Sequence, residues 1–337
     1  MTKNSIPKIV ADSAIPFLRG VLEPWAEVRY LPGAAIGAED VRTADALVIR
    51  TRTRCNEALL GASSVRLIAT ATIGFDHIDT AWCAARDIRV ATAAGCNARG
   101  VLQWIGAVLV NLSRRQGWTP RERTLGIVGV GHVGSLVKSY AEAWRFRTVC
   151  CDPPREEREH AGFRPLGEVA READLITFHT PLDATTRHLA DASLLAQMKP
   201  GAVVINSSRG EVVDGEALKA SRHGCVLDVW EHEPHLDRTL LDRALLATPH
   251  IAGYSEQGKA NATAQSVATL ARFFGFPLEG WYPPEVPPST PRPISWEELC
   301  RTIGTHYDIE AESRHLKASP EEFESLRDHY RYRREYF

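Results

Sequence analysis

The stretch Thr124-Leu-Gly-Ile-Val-Gly-Val-Gly-His-Val-Gly134 decides the fold of this 337-residue chain. It begins with a short apolar run, typical of a buried parallel strand, and continues as a Gly-x-Gly-x-x-Gly turn. The apolar residues beyond the turn recur at helical spacing, namely Leu136, Val137, Tyr140, Ala141 and Trp144. A strand, a glycine turn and a helix in this order predict a dinucleotide-binding loop.

Each glycine of the turn has its own physical role. Gly129 permits the tight turn, Gly131 lets the backbone approach a pyrophosphate, and Gly134 lets the helix pack closely on the strand. The pyrophosphate would lie at the helix N-terminus, where backbone N–H groups have no helical partner. We therefore expect the cofactor to contact the whole loop, which comprises Gly129, Gly131, His132, Val133 and Gly134.

An acidic residue, Asp152, ends the next predicted strand, about twenty positions after the glycine turn. Its carboxylate would accept hydrogen bonds from a ribose 2′-hydroxyl and would repel a 2′-phosphate. The sequence therefore favours NAD over NADP, although Arg155 and Arg158 nearby would weaken this preference. The alternative is a glycine-rich turn that binds no ligand, which strand, helix and acid together disfavour.

Composition and charge exclude several classes of protein. The formal net charge is −2, which gives no electrostatic basis for a nucleic-acid or membrane partner. No apolar run reaches the roughly 18 residues needed to span a bilayer, and the N-terminus lacks the apolar core of a signal peptide. The seven cysteines include no C-x-x-C pair, so we expect reduced thiols and a cytoplasmic location.

The residues before the glycine turn predict a second α/β unit, without a dinucleotide fingerprint. Short strands alternate with helices there, as in a parallel sheet. The predicted strands are Lys8–Asp12, Val28–Leu31, Asp45–Arg50 and Leu67–Thr72. A short helix is predicted near Ile15–Leu22, and a long apolar helix over Arg99–Arg115 connects this unit to the next.

Two polar stretches of this unit follow predicted strands, where parallel sheets bind ligands. The loop Arg50-Thr-Arg-Thr-Arg54 would offer an anion several charge-assisted donors, and a solvated basic loop is an equally good interpretation. Thr70–Asp79 contains a glycine turn that can present N–H groups to a carboxylate. His77 is more typical of a structural hydrogen-bonding residue, because no second ligand lies at zinc spacing, and we predict no metal site.

Three polar residues follow three successive predicted strands in the nucleotide unit: Arg209, Glu233 and His250. Oxidation of a secondary alcohol requires a base for the hydroxyl proton and an acceptor for the hydride. His250 suits the base, Glu233 would fix its tautomer, and Arg209 would bind a substrate carboxylate. A 2-hydroxy acid carries both required groups. Taken singly, each residue has an ordinary structural interpretation, which their common position at strand ends disfavours.

The chain resembles the D-2-hydroxyacid dehydrogenase family. The resemblance rests on the glycine turn, Asn206-Ser-Ser-Arg-Gly210, Asp228-Val-Trp-Glu-His-Glu-Pro234 and Pro249-His-Ile-Ala-Gly-Tyr254. Further stretches resemble the branch that oxidises 4-phospho-D-erythronate in pyridoxal 5′-phosphate biosynthesis, among them Gly95–Ala98, Cys151–Arg155, Thr177–Pro181, His250–Lys259 and Glu322–Glu335.

This resemblance implies two Rossmann-like doubly wound parallel-sheet domains with a short C-terminal dimerisation region, hence a homodimer. The substrate domain would comprise residues 1–98 plus about 255–280, and the NAD-binding domain residues 99–254. Residues 281–337 would form a proline-rich linker and a truncated dimerisation region, because this chain ends soon after its Arg-Arg-Glu stretch.

The resemblance also implies site residues. Arg209, Glu233 and His250 fall on the catalytic positions. Cofactor positions are Asp152, Thr180, Asp228 and Gly253 with the glycine turn, and substrate positions are Thr51, Thr72 and Tyr254. A phosphorylated small-molecule substrate would explain the basic loop, so Arg50 and Arg52 join the substrate set, although Arg52 and Arg54 depart from the usual residues. The alternatives are a dehydrogenase for 3-phosphoglycerate or glycerate, an NAD-sensing regulator, and an inactive paralogue.

Overall fold

The computed structural model describes residues 6–337 as two compact units. The first unit contains the described residues up to Asn97 together with Glu256–Pro288. The second contains Ala98–Ser255 together with Ser289–Phe337. Within the described residues, no helix is both long enough and apolar enough to cross a membrane.

The first unit is built on a five-stranded parallel sheet with the order β2-β1-β3-β4-β5. This order reverses between β1 and β3, which is where ligand crevices open in such sheets. Four of the strands confirm the sequence prediction to within two residues, and β5 was not predicted. The strands are β1 (Lys8–Asp12), β2 (Glu27–Leu31), β3 (Ala46–Ile49), β4 (Leu67–Thr70) and β5 (Arg89–Thr92).

The second unit is built on a six-stranded parallel sheet with the order β11-β10-β9-β8-β6-β7. The order reverses between β6 and β8, so the predicted glycine turn lies at the switch point. The two parallel sheets confirm the predicted fold class. The strands are β6 (Thr124–Val128), β7 (Arg147–Cys151), β8 (Leu175–Phe178), β9 (Val203–Asn206), β10 (Gly224–Leu227) and β11 (Leu246–Ala247).

Helices cover the faces of both sheets. The long predicted helix is confirmed as α4, and α11 packs on the first sheet, where its Val267 and Leu270 join the core that contains Ile9. In chain order the helices are α1 (Ala38–Val41), α2 (Glu57–Leu60), α3 (Thr80–Ala85), α4 (Ala98–Gln116), α5 (His132–Ala143), α6 (Pro153–Glu159), α7 (Leu166–Glu172), α8 (Ala192–Gln197), α9 (Gly215–Ala220), α10 (Arg238–Arg243), α11 (Glu256–Phe274), α12 (Trp296–His306), α13 (Ile309–Ala318) and α14 (Phe323–Asp328).

The predicted helix near Ile15–Leu22 is wrong, because this segment forms a series of turns. Pro16 lacks a backbone donor, Phe17 has a φ of 64° and Gly20 a φ of 84°, and these left-handed angles interrupt a right-handed helix. The apolar spacing in the sequence is nevertheless meaningful, since Leu18 is fully buried. Turns bury the apolar side chains here without helical hydrogen bonds.

The second sheet carries a core on each face. The adjacent residues Cys150 and Cys151 belong to different cores, as expected for neighbours on a strand. All seven cysteines are free, and six of them are buried, so they pack as small apolar side chains.

The C-terminal segment, Ser289–Phe337, supplies side chains to both cores of the second unit. Leu299 and Ile303 of α12 join the core around α4, while Phe323 joins the core on the other face. Residues 281–293 contain no helix or strand, in keeping with the proline-rich composition. The role of this segment in dimerisation stays a prediction.

Candidate active site

The glycine loop between β6 and α5 is held by close backbone packing. Gly129 has a φ of 83°, and a Cβ atom there would lie 2.8 Å from the carbonyl oxygen of His179. A Cβ on Gly134 would lie 2.0 Å from the carbonyl oxygen of Gly129. By contrast, a Cβ on Gly131 would meet no atom within 4 Å, so the loop is open at the position expected to face a pyrophosphate. No side chain caps the N-terminus of α5.

Asp152 follows β7 as the N-cap of α6 and faces this loop. One carboxylate oxygen accepts a hydrogen bond from the backbone N–H of Val130 at 2.7 Å, and the other accepts from the N–H of Arg155 at 3.0 Å. Arg155 itself forms an ion pair with Glu159 at 2.6 Å and donates to the carbonyl of Val130. Asp152 is therefore fixed beside the glycine loop, and Arg155 is already engaged with protein groups, while the contact of Asp152 with a ribose stays a prediction.

Two hydroxyl groups near the carboxyl ends of β8 and β9 have no protein partner. Thr180 Oγ1 and Ser207 Oγ are both buried without a hydrogen bond. A buried hydroxyl without a partner costs about 1–3 kcal/mol, so a ligand that completes these bonds would be favoured. Together with the open loop at Gly131, these orphaned groups fit a dinucleotide such as NAD.

Asp228, which follows β10, is an almost fully buried carboxylate. Its Oδ1 accepts hydrogen bonds from Thr248 Oγ1 at 2.6 Å and from the N–H of Ile251 at 2.8 Å. Its Oδ2 accepts from the N–H of Ala252 at 2.9 Å. Asp228 thus shapes the loop that carries His250, a role that the sequence did not predict, while its contact with the cofactor stays a prediction.

His250 and Glu233 form the central pair of the site. The Nδ1 atom of His250 lies 2.8 Å from Glu233 Oε2, and Glu233 Oε1 accepts a hydrogen bond from the N–H of Trp230 at 3.0 Å. An ionised carboxylate only accepts hydrogen bonds, so Nδ1 carries the hydrogen and Nε2 is left to take up a proton. The backbone of His250 is left-handed, with a φ of 56°, and its N–H donates to the carbonyl of Asp228 at 2.7 Å.

Glu233 stays ionised in this buried setting. Burial alone would raise the pKa of its carboxyl group, but the nearby His250, Arg327 and the N–H of Trp230 outweigh burial and lower the pKa below its usual value. The carboxylate can therefore stabilise a positive charge on His250 when a proton is taken up.

Arg209 follows β9 on a loop that packs against the loop of Glu233. The buried Asn206 donates through Nδ2 to the carbonyl of Arg209 at 2.8 Å, and its Oδ1 accepts from the backbone N–H of Ser208 at 3.0 Å. A Cβ on Gly210 would lie 2.1 Å from the carbonyl carbon of Trp230, so only glycine permits this contact between the two loops. The structure thus brings the loops of the three predicted catalytic residues to one edge of the second sheet.

The predicted substrate residues divide between the two units. Tyr254 belongs to the second unit, where its ring packs edge-on against Tyr330, with centroids 5.9 Å apart. Arg50 and Thr51 directly follow β3 of the first unit, and Thr72 follows the neighbouring strand β4.

Two loops of the first unit carry those residues at the carboxyl edge of its sheet. Arg50 donates to the carbonyl of Ala14 at 3.1 Å, while Arg52 is exposed. Thr72 Oγ1 lies 2.6 Å from Thr70 Oγ1, and His77 Nε2 lies 3.4 Å from that same Thr70 oxygen. His77 therefore belongs to a small polar network, as its structural interpretation predicted.

Two arginines of the C-terminal segment complete the surroundings of the site. Arg327 Nη1 lies 3.8 Å from Glu233 Oε2. Arg333 is buried and donates to the carbonyls of Gly100 and Ile251, each at 3.0 Å, and also to the carbonyl of Ala252. These contacts were not predicted from the sequence, because the family resemblance assigned this segment to dimerisation alone.

Comparisons with known proteins identify relatives of this chain. Residues 98–252 match the NAD binding domain of the D-isomer specific 2-hydroxyacid dehydrogenases. The chain is 46% identical to an erythronate-4-phosphate dehydrogenase of Bacteroides fragilis, with 97% of each chain covered. It is 41% identical to an erythronate-4-phosphate dehydrogenase of Salmonella paratyphi B, with 98% of this chain and 92% of that protein covered.

A solved structure shares the fold. NAD⁺-bound 3-phosphoglycerate dehydrogenase of Entamoeba histolytica superimposes with a TM-score of 0.70 and 24% identity, over 81% of this chain and 98% of that one. At this level of identity the likeness supports the two-sheet architecture alone.

Proposed function

The chain belongs to the erythronate-4-phosphate dehydrogenases, within the D-isomer specific 2-hydroxyacid dehydrogenase family, and on this basis we propose that it oxidises 4-phospho-D-erythronate with NAD. The product is 2-oxo-3-hydroxy-4-phosphobutanoate, an intermediate of pyridoxal 5′-phosphate biosynthesis. The observation that carries the reaction type is the 2.8 Å contact between His250 Nδ1 and Glu233 Oε2, in the unit that also contains the glycine loop. This contact leaves Nε2 as a base of defined tautomer.

In the proposed reaction the substrate loses a proton from its C2 hydroxyl and a hydride from C2. His250 Nε2 accepts the proton, and Glu233 stabilises the imidazolium through Nδ1. Arg209 pairs with the substrate carboxylate and stabilises negative charge on the oxygen that becomes the carbonyl. NAD, when bound, supplies the acceptor for the hydride. The Gly129–Gly134 loop, Asp152, Thr180, Asp228 and Gly253 are the residues that we propose to hold it.

We further propose that the basic loop of the first unit binds the substrate phosphate. Arg50, Thr51 and Arg52 follow β3 at the switch point of a parallel sheet, where such folds bind ligands. Arg54 adds another exposed guanidinium to the same loop. Thr72, on the neighbouring loop, and Tyr254 are the remaining substrate residues that we propose.

A substrate panel tests the assignment. Purified protein would be given NAD with 4-phospho-D-erythronate, 3-phospho-D-glycerate, D-glycerate or D-lactate. A 2-oxo acid would be present in parallel assays to reoxidise any cofactor that stays bound. We expect kcat/KM to be highest for 4-phospho-D-erythronate. A preference for 3-phosphoglycerate or glycerate would retain the mechanism and refute the substrate, whereas NAD binding without any turnover would favour a regulator.

The role of the basic loop has a separate test. The double variant Arg52→Ala/Arg54→Ala is expected to raise KM for 4-phospho-D-erythronate at least tenfold with little change in kcat, because uniform binding of the phosphate is lost. Inorganic phosphate should inhibit the wild type and lose this effect in the variant. An unchanged KM would show that the phosphate binds elsewhere.

The oligomeric state is the remaining proposal. The resemblance of residues 322–335 to a dimerisation region supports a homodimer. Light scattering should then give twice the 37.3 kDa mass of the chain. A monomeric mass at micromolar concentration would refute the homodimer without affecting the chemistry.

A further inference from the structure

Arg327 reaches the catalytic pair from α14, a helix that contributes no residue to the proposed reaction. Its Nη1 lies 3.8 Å from Glu233 Oε2, the same oxygen that contacts His250 Nδ1 at 2.8 Å. Its guanidinium also interacts with the hydroxyl of Tyr254 and packs over the ring of Phe323, 5.5 Å from the centroid. The Arg327 side chain is only 23% exposed, so water screens its charge weakly.

The other charged groups at this place are bound to their own partners. Asp228 is occupied by Thr248 and by two backbone N–H groups of the loop after His250. Arg333 donates hydrogen bonds to three backbone carbonyls, and its guanidinium lies over the ring of Tyr307, 4.4 Å from the centroid. Arg327 differs from Arg333 because it faces the carboxylate of Glu233, whereas the Nε atoms of both arginines are buried without a hydrogen-bond partner.

We infer that Arg327 is a positioning residue for hydride transfer, which holds Glu233 oriented toward His250 while its charge limits the stabilisation of imidazolium. This inference rests on the proposed function, in which neutral His250 is the base. A carboxylate without a facing cation would hold the imidazole protonated to higher pH, and the fraction of neutral base would fall. Arg327 therefore balances Glu233, so that His250 Nε2 can both accept and return a proton in the proposed reaction.

Electrostatics supports this assignment from the side of Glu233. Burial raises the pKa of the Glu233 carboxyl group, and the charges of His250 and Arg327 together with two hydrogen bonds bring it below its usual value. Without Arg327, one of these compensating charges is lost. The carboxylate would still be paired with His250, and the site would respond by favouring the protonated imidazole.

The test uses Arg327→Gln and Arg327→Lys in the full chain, with Arg331→Gln as a matched control on the same segment, since Arg331 is exposed. The pH profile of kcat/KM for 4-phospho-D-erythronate would be recorded from pH 5 to pH 9. In Arg327→Gln, the acidic limb is expected to move about one unit to higher pH. Arg327→Lys keeps the positive charge, so the acidic limb of its pH profile should lie where that of the wild type lies. The same is expected of Arg331→Gln.

A second readout is independent of turnover. The titration of His250 in isotope-labelled protein, followed by nuclear magnetic resonance and assigned with His250→Gln, should have its midpoint moved upward by Arg327→Gln. Thermal unfolding of each variant checks that it is folded. If wild-type protein fails to oxidise the substrate but the midpoint still moves, the proposed function fails and the role of Arg327 stands. Two results would overturn the inference. The first is a lower kcat of Arg327→Gln at every pH, with the acidic limb of the profile and the midpoint of the His250 titration unchanged. The second is an equal shift in Arg327→Lys.

Discussion

The backbone of His250, and not the side chain alone, determines where its imidazole lies. Its φ of 56° is costly for a residue with a Cβ, and the bonds around Asp228 hold that angle. The N–H of His250 donates to the Asp228 carbonyl, while the Asp228 carboxylate accepts from the next two N–H groups. This local geometry directs the imidazole toward Glu233, and the pair can then act as a base of fixed tautomer.

Replacement of His250 by glutamine should remove the base and preserve the cofactor loop. We expect kcat to fall about 10²–10⁴-fold, the range that general base catalysis contributes, with the Kd for NAD within twofold of wild type. Stopped-flow turnover and calorimetric titration with NAD would measure both quantities. His315→Gln is the control, because His315 is exposed on α13. Undiminished turnover in His250→Gln would refute the mechanism.

The imidazole of His179 contributes to the pH dependence of the free energy of unfolding. It follows β8, its Nε2 lies 3.1 Å from Thr177 Oγ1, and burial of the ring lowers its pKa to about 3, although the residue keeps some exposed surface. Between about pH 6.5 and pH 3 the unfolded chain then binds one proton more than the folded chain, so this residue reduces stability as the pH falls.

The variant His179→Gln should lack that contribution. Across the same pH interval, the free energy of unfolding of wild type should fall by up to about 1.4 kcal/mol per pH unit more steeply than that of the variant. Urea unfolding at pH 4, 5, 6 and 7 without cofactor would measure the difference. Parallel pH dependences of the two proteins would mean that the imidazole is protonated in the folded state.

At the scale of the elements, one strand–turn–helix motif comprises β6, the glycine loop and α5. The loop must be tight where α5 meets β6 and open where a ligand approaches. Gly134 meets the first requirement, with backbone 2.0 Å from the position of a Cβ, and Gly131 meets the second, with no atom within 4 Å. We therefore propose that Gly134 serves packing and Gly131 serves ligand binding.

Alanine at each of these glycines should separate the two roles. A methyl group on Gly131 would meet no atom within 4 Å, so Gly131→Ala should lower the melting temperature of the apoprotein only through the backbone angles of this position (φ −77°, ψ −145°) and by less than Gly134→Ala. It should raise the Kd for NAD at least tenfold. Gly134→Ala should cost about 2 kcal/mol or more of folding stability, because the methyl group collides with backbone. Calorimetry with and without NAD would measure both effects. Equal behaviour of the two variants would contradict this division.

The sequence predicted elements better than contacts, for physical reasons. Strands such as β6 and β8 are buried on both faces and are visible as apolar runs, and Gly134 has a role that short-range spacing reveals. The segment near Ile15 shows the limit, because turns with left-handed residues can bury the same apolar spacing as a helix. Arg327 and Arg333 were missed because no local pattern connects them with the distant Glu233 and Gly100.

At the scale of the whole molecule, the C-terminal segment is part of the second unit's interior. Leu299 is fully buried, and its side chain lies 3.5 Å from the position of a Cβ on Gly106 of α4. Phe337 is also buried and packs near Trp144, with ring centroids 6.3 Å apart. The segment therefore stabilises the unit that holds the catalytic pair, whatever further contacts it makes in an oligomer.

This integration predicts that a core mutation in the C-terminal segment weakens the nucleotide unit. Leu299→Ala should lower the unfolding free energy of that unit by about 2–5 kcal/mol, the cost of a buried leucine truncation. Ile6→Ala is the matched control, since Ile6 is 69% exposed, and should change stability by no more than about 0.5 kcal/mol. The relevant transition is the one that NAD moves to higher temperature, because a ligand stabilises the unit that binds it. Suppose instead that Leu299→Ala left that transition in place and altered only the oligomeric mass. The segment would then serve assembly alone, and it would not hold Arg327 and Arg333 in place against Glu233 and the loop of His250.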